Sequence, residues 1–230
     1  MKTAEAVLLG HPDKICDLIS DALLDEYLRH DPFSRVAIEV QGGHGQINIL
    51  GEVTSKRKIT YEEAREIIKR VFQDIGYEYF FTLNWRIEQQ SSEIASGVDR
   101  GGAGDSGITT GYACWENPEM LPSELVYARK LVQAFTGFRS NRSNVSYGPD
   151  GKTQVSVENG KIKVVVASIQ HGHPKEMEEI IRQTLGDDLA SNCRIYCNPA
   201  GLFSIGGFDA DSGATGRKIV ADNYGPRIPV

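Results

Sequence analysis

Residues 10–14 read Gly-His-Pro-Asp-Lys, which crowds an imidazole, a carboxylate and an ammonium around one proline. Behind them Ile15, Leu18, Ile19, Ala22 and Leu23 recur at helical spacing, so His11, Asp13 and Lys14 open a helix with Pro12 in its first turn. The free amides of such a turn attract anions. His11 and Lys14 suit phosphate oxygens, and Asp13 suits a magnesium ion bridging that phosphate. Taken alone, the same residues also describe an ordinary capped helix with solvated charges.

Three further clusters point the same way. "GAGDSG" at 102–107 offers Asp105 on a glycine-rich backbone, "GPDGK" at 148–152 offers Asp150 and Lys152, and "DADSGATGRK" at 209–218 offers Asp209, Asp211, Arg217 and Lys218. Glycine beside acid and base lets a backbone come close to a polyphosphate and its metals. None of these stretches has the P-loop spacing, and the glycines do not form the dinucleotide fingerprint in a β-α-β setting.

The elements that must position these clusters form a repeat. "RVAIEVQGGHGQINILGEV" alternates at Val36, Ile38 and Val40 and again at Ile47 and Ile49 about a glycine-rich turn, which predicts a hairpin. Thr60 and Glu63 make a capping box, Ala64, Ile67, Ile68, Val71 and Ile75 follow at helical spacing, and Gly76 sits where a helix ends. "FFTLNWRI" then reads as a strand. The same order recurs in "TQVSVENGKIKVVVASIQ" with its Asn159-Gly160 turn, "HPKEMEEIIRQTLGDD" and "CRIYCN", and "EIIKR" at 66–70 aligns with "EIIRQ" at 179–183. The pattern predicts an α+β fold of two related β-β-α-β domains with mostly antiparallel sheets covered by helices; two unrelated stretches of similar pattern are the alternative. The expected divisions are 1–98, 99–204 and a third segment, 205–230. Another helix is expected near "SELVYARKLVQAF".

With 40% hydrophobic and 24% charged residues, a net charge of −6 and 230 residues, the chain has enough apolar material for folded cores and no basic excess that would favour nucleic acid. No stretch reads as a membrane span or signal peptide, so a cytoplasmic location is expected. The four cysteines, Cys16, Cys114, Cys193 and Cys197, lack zinc or redox spacing and are expected to be buried and reduced. Trp85 and Trp115 are expected in the core or at an interface, His30 and His44 in solvent, and His171 and His173 in structural roles.

In order along the chain, "GHPDKICDLISDALLD", "GVDRGGAGDSG…GYA", "GPDGKTQVSV", "NPAGLFSIGG" and "GATGRKIVADNYG" resemble the S-adenosylmethionine synthetases (methionine adenosyltransferases). The resemblance implies attack of the methionine sulfur on C5′ of ATP, expulsion of triphosphate, and its hydrolysis to phosphate and pyrophosphate, with Mg2+ and K+ as cofactors. It makes His11 the leaving-group histidine, Asp13 a magnesium ligand and Glu39 the potassium-site glutamate. Glu52 and Gln90 line the methionine side, and Asp105 holds the methionine ammonium. Asp150 and Lys152 contact nucleotide and phosphate, Phe203 stacks on adenine, and Asp211, Arg217 and Lys218 surround methionine and triphosphate. Residues from Gln90 to Asp105 correspond to a gating loop, shorter than usual.

Family chains continue past "DNYG" into a "GGGAFSGKD"-type segment carrying two phosphate lysines and a magnesium-binding aspartate, which does not follow here. Leu9 replaces Glu, Ser106 replaces Gln and Leu202 replaces Arg of the family pattern. Three readings follow: one piece of a synthetase completed by a separate chain, a reduced synthetase completed by its partner subunit as a homodimer or tetramer, or a non-catalytic nucleotide-binding or regulatory paralogue.

Overall fold

The computed structural model describes residues 1–91, 98, 101–141 and 147–228, with 139–141 as backbone only. Helix α1 (Pro12–His30) buries Ile15, Cys16, Ile19 and Leu23 on the expected stripe. Strands β2 (Arg35–Gly43) and β3 (Gln46–Thr54) pair antiparallel, with Val40 opposite Ile49, around a turn in which His44 and Gly45 both take positive φ. Helix α2 (Tyr61–Ile75) begins at the capping box, with both Thr60–Glu63 bonds formed, and ends where Gly76 turns left-handed at φ +95°. It carries the chain across so that β4 (Thr82–Glu88) runs parallel to β3, as a crossover helix must do.

The second unit repeats this path. Strands β5 (Gly151–Glu158) and β6 (Lys161–Ile169) form an antiparallel hairpin at Asn159-Gly160, helix α4 (Pro174–Leu185) crosses over, and β7 (Leu189–Cys197) runs parallel to β6. Helix α3 (Ser123–Asn141) precedes it and packs on the same sheet. The fold is therefore α+β with mixed sheets, each hairpin antiparallel and each returning strand parallel.

Edge strands are exchanged between the units. Strand β1 (Lys2–Val7) opens the chain but pairs antiparallel with β5, from Lys2 opposite Val157 to Val7 opposite Lys152. The short β8 (Gly213–Ala214) pairs with β2, and helix α5 (Ile219–Asp222) follows it. The sheet orders are β4-β3-β2-β8 and β1-β5-β6-β7. Two apolar cores result, one of Ile15, Ile19, Ile47, Ile68 and Phe208, the other of Leu131, Phe135, Val155, Val165 and Ile181. Helices cover one face of the first sheet, while Glu39, Leu50 and Glu52 stay exposed on the other.

Trp85 packs against the first core, but Trp115 is 96% exposed in the coil before α3, where no element covers it. Only Cys16 of the four free cysteines is fully buried; the other three are part-exposed, because Cys193 and Cys197 lie on the outer strand β7 and Cys114 in the coil. No helix among the described residues is long and apolar enough to cross a membrane.

Candidate functional site

Two glycines bring the motif segments together. A Cβ on Gly10 would lie 2.6 Å from the Pro149 carbonyl, and the Gly10 amide donates to that oxygen at 2.9 Å. His11 is thereby set beside the 148–152 turn. A Cβ on Gly213 would lie 2.2 Å from the Pro12 carbonyl oxygen, so only glycine lets β8 cross the first turn of α1. Together they form a cleft of about 410 Å3 lined by His11, Asp150, Lys152, Phe203, Asp211 and the outward side chains of β5 and β6.

His11 is the N-cap of α1, and its Nδ1 accepts the Asp13 amide at 3.3 Å. Burial, reinforced by the Lys218 charge, lowers its pKa from 6.5 to about 4. With Nδ1 engaged as an acceptor, this hydrogen-bond pattern assigns the neutral ring its proton at Nε2. The imidazole is a neutral donor at pH 7.

Asp13, 2% exposed, ties the last segment to α1. Its Oδ1 accepts the Ala214 amide at 3.1 Å and lies 3.3 Å from Arg217 Nε, while Oδ2 accepts from Lys218 Nζ at 2.6 Å. Burial alone would raise this carboxyl, but the Lys218 bond, the Ala214 amide and the two cationic charges outweigh it and hold the pKa below the usual range. One helical turn on, Asp17 Oδ1 accepts the Gly216 amide at 3.0 Å. Lys14 pairs with Asp17 at 3.2 Å and with Asp222. This corrects the expectation that Lys14 faces phosphate: two carboxylates engage its ammonium and, against the cost of burial, raise its pKa. Burial pushes Asp150 up despite bonds from the Gly207 and Gly151 amides.

His11, Asp150, Lys152, Phe203 and Asp211 thus meet in one cleft, with Asp13, Arg217 and Lys218 alongside. The remaining candidates lie elsewhere. Glu39 is exposed on β2 and accepts from the Thr215 hydroxyl, and Glu52 is exposed on β3. Gln90 follows β4 with a buried Oε1 that has no hydrogen-bond partner. Asp105 is exposed in coil, accepting the Ser106 amide at 2.7 Å. Of the expected gate, residues 92–97, 99 and 100 lie outside the described residues. A separate cavity of about 500 Å3, lined by Tyr27, Arg57, Trp85 and neighbours, contains none of the candidates.

Among the described residues no three His, Cys, Asp or Glu side chains converge as a metal cage. Magnesium bound through one carboxylate and substrate phosphates needs no such cage. Asp13 is a hard oxygen donor beside the cleft, the donor type that mode uses, with its Oδ2 engaged by Lys218 Nζ.

Sequence reasoning missed Phe208 and Asp17. Phe208 lies in the first core beside Phe72 and Tyr79, with ring centroids 5.8 and 5.7 Å away, and anchors the last segment there. A lone aromatic in "GGFDAD" was its only signal. Asp17 follows Asp13 by one turn on the same helix face, a spacing that could have flagged it.

Comparisons with known proteins place the fold in a family. Residues 1–100 match the family model of the S-adenosylmethionine synthetase N-terminal domain, and residues 100–203 match that of the central domain. The S-adenosylmethionine synthase of Rhodospirillum centenum is 39% identical over 251 residues, a match covering 99% of this chain and 65% of that protein. That of Nitratidesulfovibrio vulgaris is 41% identical over 250 residues, covering 97% and 64%. The solved structure of an unusual S-adenosylmethionine synthetase from Campylobacter jejuni superposes with a TM-score of 0.86 at 28% identity, over 100% of this chain and 66% of that one. The chain thus spans about 65% of the length of the curated relatives it matches.

Proposed function

The chain belongs to the S-adenosylmethionine synthetase family, and from that premise we propose that it forms S-adenosylmethionine from ATP and L-methionine, releasing phosphate and pyrophosphate. One observation carries the reading: segments 10–13, 150–152, 203–211 and 217–218, far apart in the chain, converge on one cleft and its flanking ion cluster.

In this reaction the methionine sulfur forms a bond to C5′ as the C5′–O bond breaks, and the triphosphate leaves with the electron pair. A neutral thioether needs no base, so the demand on the protein is alignment and stabilisation of developing negative charge. His11 Nε2–H donates to the leaving oxygen, Lys152 and Lys218 with Arg217 face the triphosphate, and Phe203 offers a ring to adenine. Asp150 and Asp211 border the nucleoside and methionine. Asp13 would hold Mg2+, which would neutralise phosphate charge when bound, and Glu39 with Thr215 would supply oxygen donors for K+.

Glu52, Gln90 and Asp105 stand outside the cleft. The exposure of Glu52 on the open sheet face and of Asp105 in coil supports delivery to the site of a second copy, since the resemblance implies active sites between subunits, in a homodimer, a tetramer or an assembly with another chain. The same observation favours a second reading, a nucleotide-binding or regulatory paralogue. A cytoplasmic setting accompanies either reading, with neither nucleic acid nor membrane as partner.

The test incubates the chain with ATP, methionine, Mg2+ and K+ and quantifies S-adenosylmethionine and phosphate by chromatography. Product is the expected result. ATP binding without product would point to a missing second polypeptide or to the paralogue reading, and no ATP binding would overturn all of these readings.

A further inference from the structure

We infer that Tyr77 and Gln170 are positioning residues for the nucleoside end of the cleft, an inference that rests on the nucleotide reading above. Neither lines the cleft, yet between them they hold both of its nucleoside-side walls. Gln170 follows β6 and is 6% exposed. Its backbone amide donates to the Asp150 carbonyl at 3.0 Å, and its own carbonyl accepts the Gly148 amide at 2.8 Å, which fixes the turn bearing Asp150 and Lys152. Its side-chain Nε2 donates to the Ser204 carbonyl at 3.3 Å, next to Phe203, and the neighbouring His171 amide donates to the Phe203 carbonyl at 2.7 Å.

Tyr77, just past the end of α2 in the first unit, completes this hub. Its hydroxyl donates to Gln170 Oε1 at 2.9 Å, and the Asp150 amide donates to the same oxygen at 3.4 Å. The Tyr77 ring also lies where a Cβ on Gly207 would come within 2.9 Å, and the Gly207 amide donates to Asp150 Oδ2 at 2.8 Å. A path of direct contacts therefore runs from the first unit through Tyr77 to the carboxylate of Asp150 and, through Gln170, to the segment bearing Phe203. A buried amide with both ends engaged holds its neighbours in one arrangement, because an unmade bond there is costly. The phosphate side is built differently: Asp13, Arg217 and Lys218 stand apart from the hub, and Lys152 is held by its pairing in β5 and by backbone bonds that Tyr77→Phe and Gln170→Asn leave in place. Loosening the hub should therefore affect adenosine and spare phosphate.

Calorimetric titration of the full chain with a non-hydrolysable ATP analogue, adenosine and inorganic tripolyphosphate, each with Mg2+, separates the two ends. Tyr77→Phe, which keeps the ring, should weaken the analogue and adenosine about fivefold, the worth of one ordinary hydrogen bond, and leave tripolyphosphate within about twofold by the same argument. Gln170→Asn, one methylene shorter, should do at least as much. If circular dichroism shows that Gln170→Asn does not fold, Tyr77→Phe decides alone. Unchanged affinity for the analogue in a wild-type-like fold would overturn the inference, as would an equal loss for tripolyphosphate, which marks a general structural role. A wild-type chain that binds neither adenosine nor the analogue would instead overturn the nucleotide reading, and the inference with it.

Discussion

The two nitrogens of His11 face different demands: Nδ1 accepts the Asp13 amide as a helix cap, which leaves Nε2 to carry the proton toward the cleft. His11→Asn keeps an oxygen for the cap but removes that donor. Turnover in the active assembly should therefore fall by about 100-fold or more with the fold intact, and undiminished S-adenosylmethionine formation would refute the assignment. Burial, with the Lys218 charge, lowers the His11 pKa from its ordinary 6.5 to about 4 in the folded chain. Between these values the unfolded chain takes up a proton that the folded ring refuses, so the site loses stability as pH falls through about 6.5 toward 4. Denaturant midpoints at pH 7 and pH 5 should drop less in His11→Asn than in wild type; equal drops would contradict the depressed pKa. Lys152 reaches the cleft and, among the described residues, pairs with Glu5 at 3.7 Å. Lys152→Ala should weaken tripolyphosphate binding by about tenfold, the scale of one charge-assisted contact, and unchanged affinity would remove it from the phosphate side.

At the level of elements, the local signals were legible and the long-range ones were not. The Thr60–Glu63 box, the Gly76 end and the Asn159-Gly160 turn are decided within a few residues, and the structure has all three. The exchange of β1 into the second sheet depends on partners some 150 positions away, which no periodicity encodes. Lys14 was misread for the same reason, because Asp222, which engages its ammonium, lies 208 positions along the chain. The site was legible as motifs, since His11, Lys152, Phe203 and Arg217 each stand in a recognisable stretch; that Asp13 pairs with Arg217 and Lys218 required the fold. The crossing of β8 over α1 gives this level its own prediction. Gly213→Ala should cost about 1–3 kcal/mol in denaturant unfolding, the usual penalty of overpacking, whereas Gly107→Ala, where nothing lies within 4 Å, should be near neutral. Equal stability of the two variants would show that the close approach does not bind the last segment to α1.

Across the whole molecule, two sheets with exchanged edge strands make one scaffold in which neither unit owns the cleft. The first supplies His11 and Asp13, the second Asp150, Lys152 and Phe203, and the last segment Asp211, Arg217 and Lys218. Phe208 anchors that segment in the first core, while Arg129 of α3 donates to the carbonyls of Ala221, Asp222 and Asn223 at 2.8–2.9 Å. The segment carrying Arg217 and Lys218, two of the three cations proposed for phosphate, is therefore held from both sides. The measurement that tests this account most directly is a crystal structure of the chain with a non-hydrolysable ATP analogue and Mg2+. The account predicts adenine against Phe203, phosphates at His11, Lys152 and Lys218, and Asp13 Oδ2 released from Lys218 to the metal. An analogue bound elsewhere, or a soaked cleft that stays empty with Lys218 still on Asp13, would contradict it.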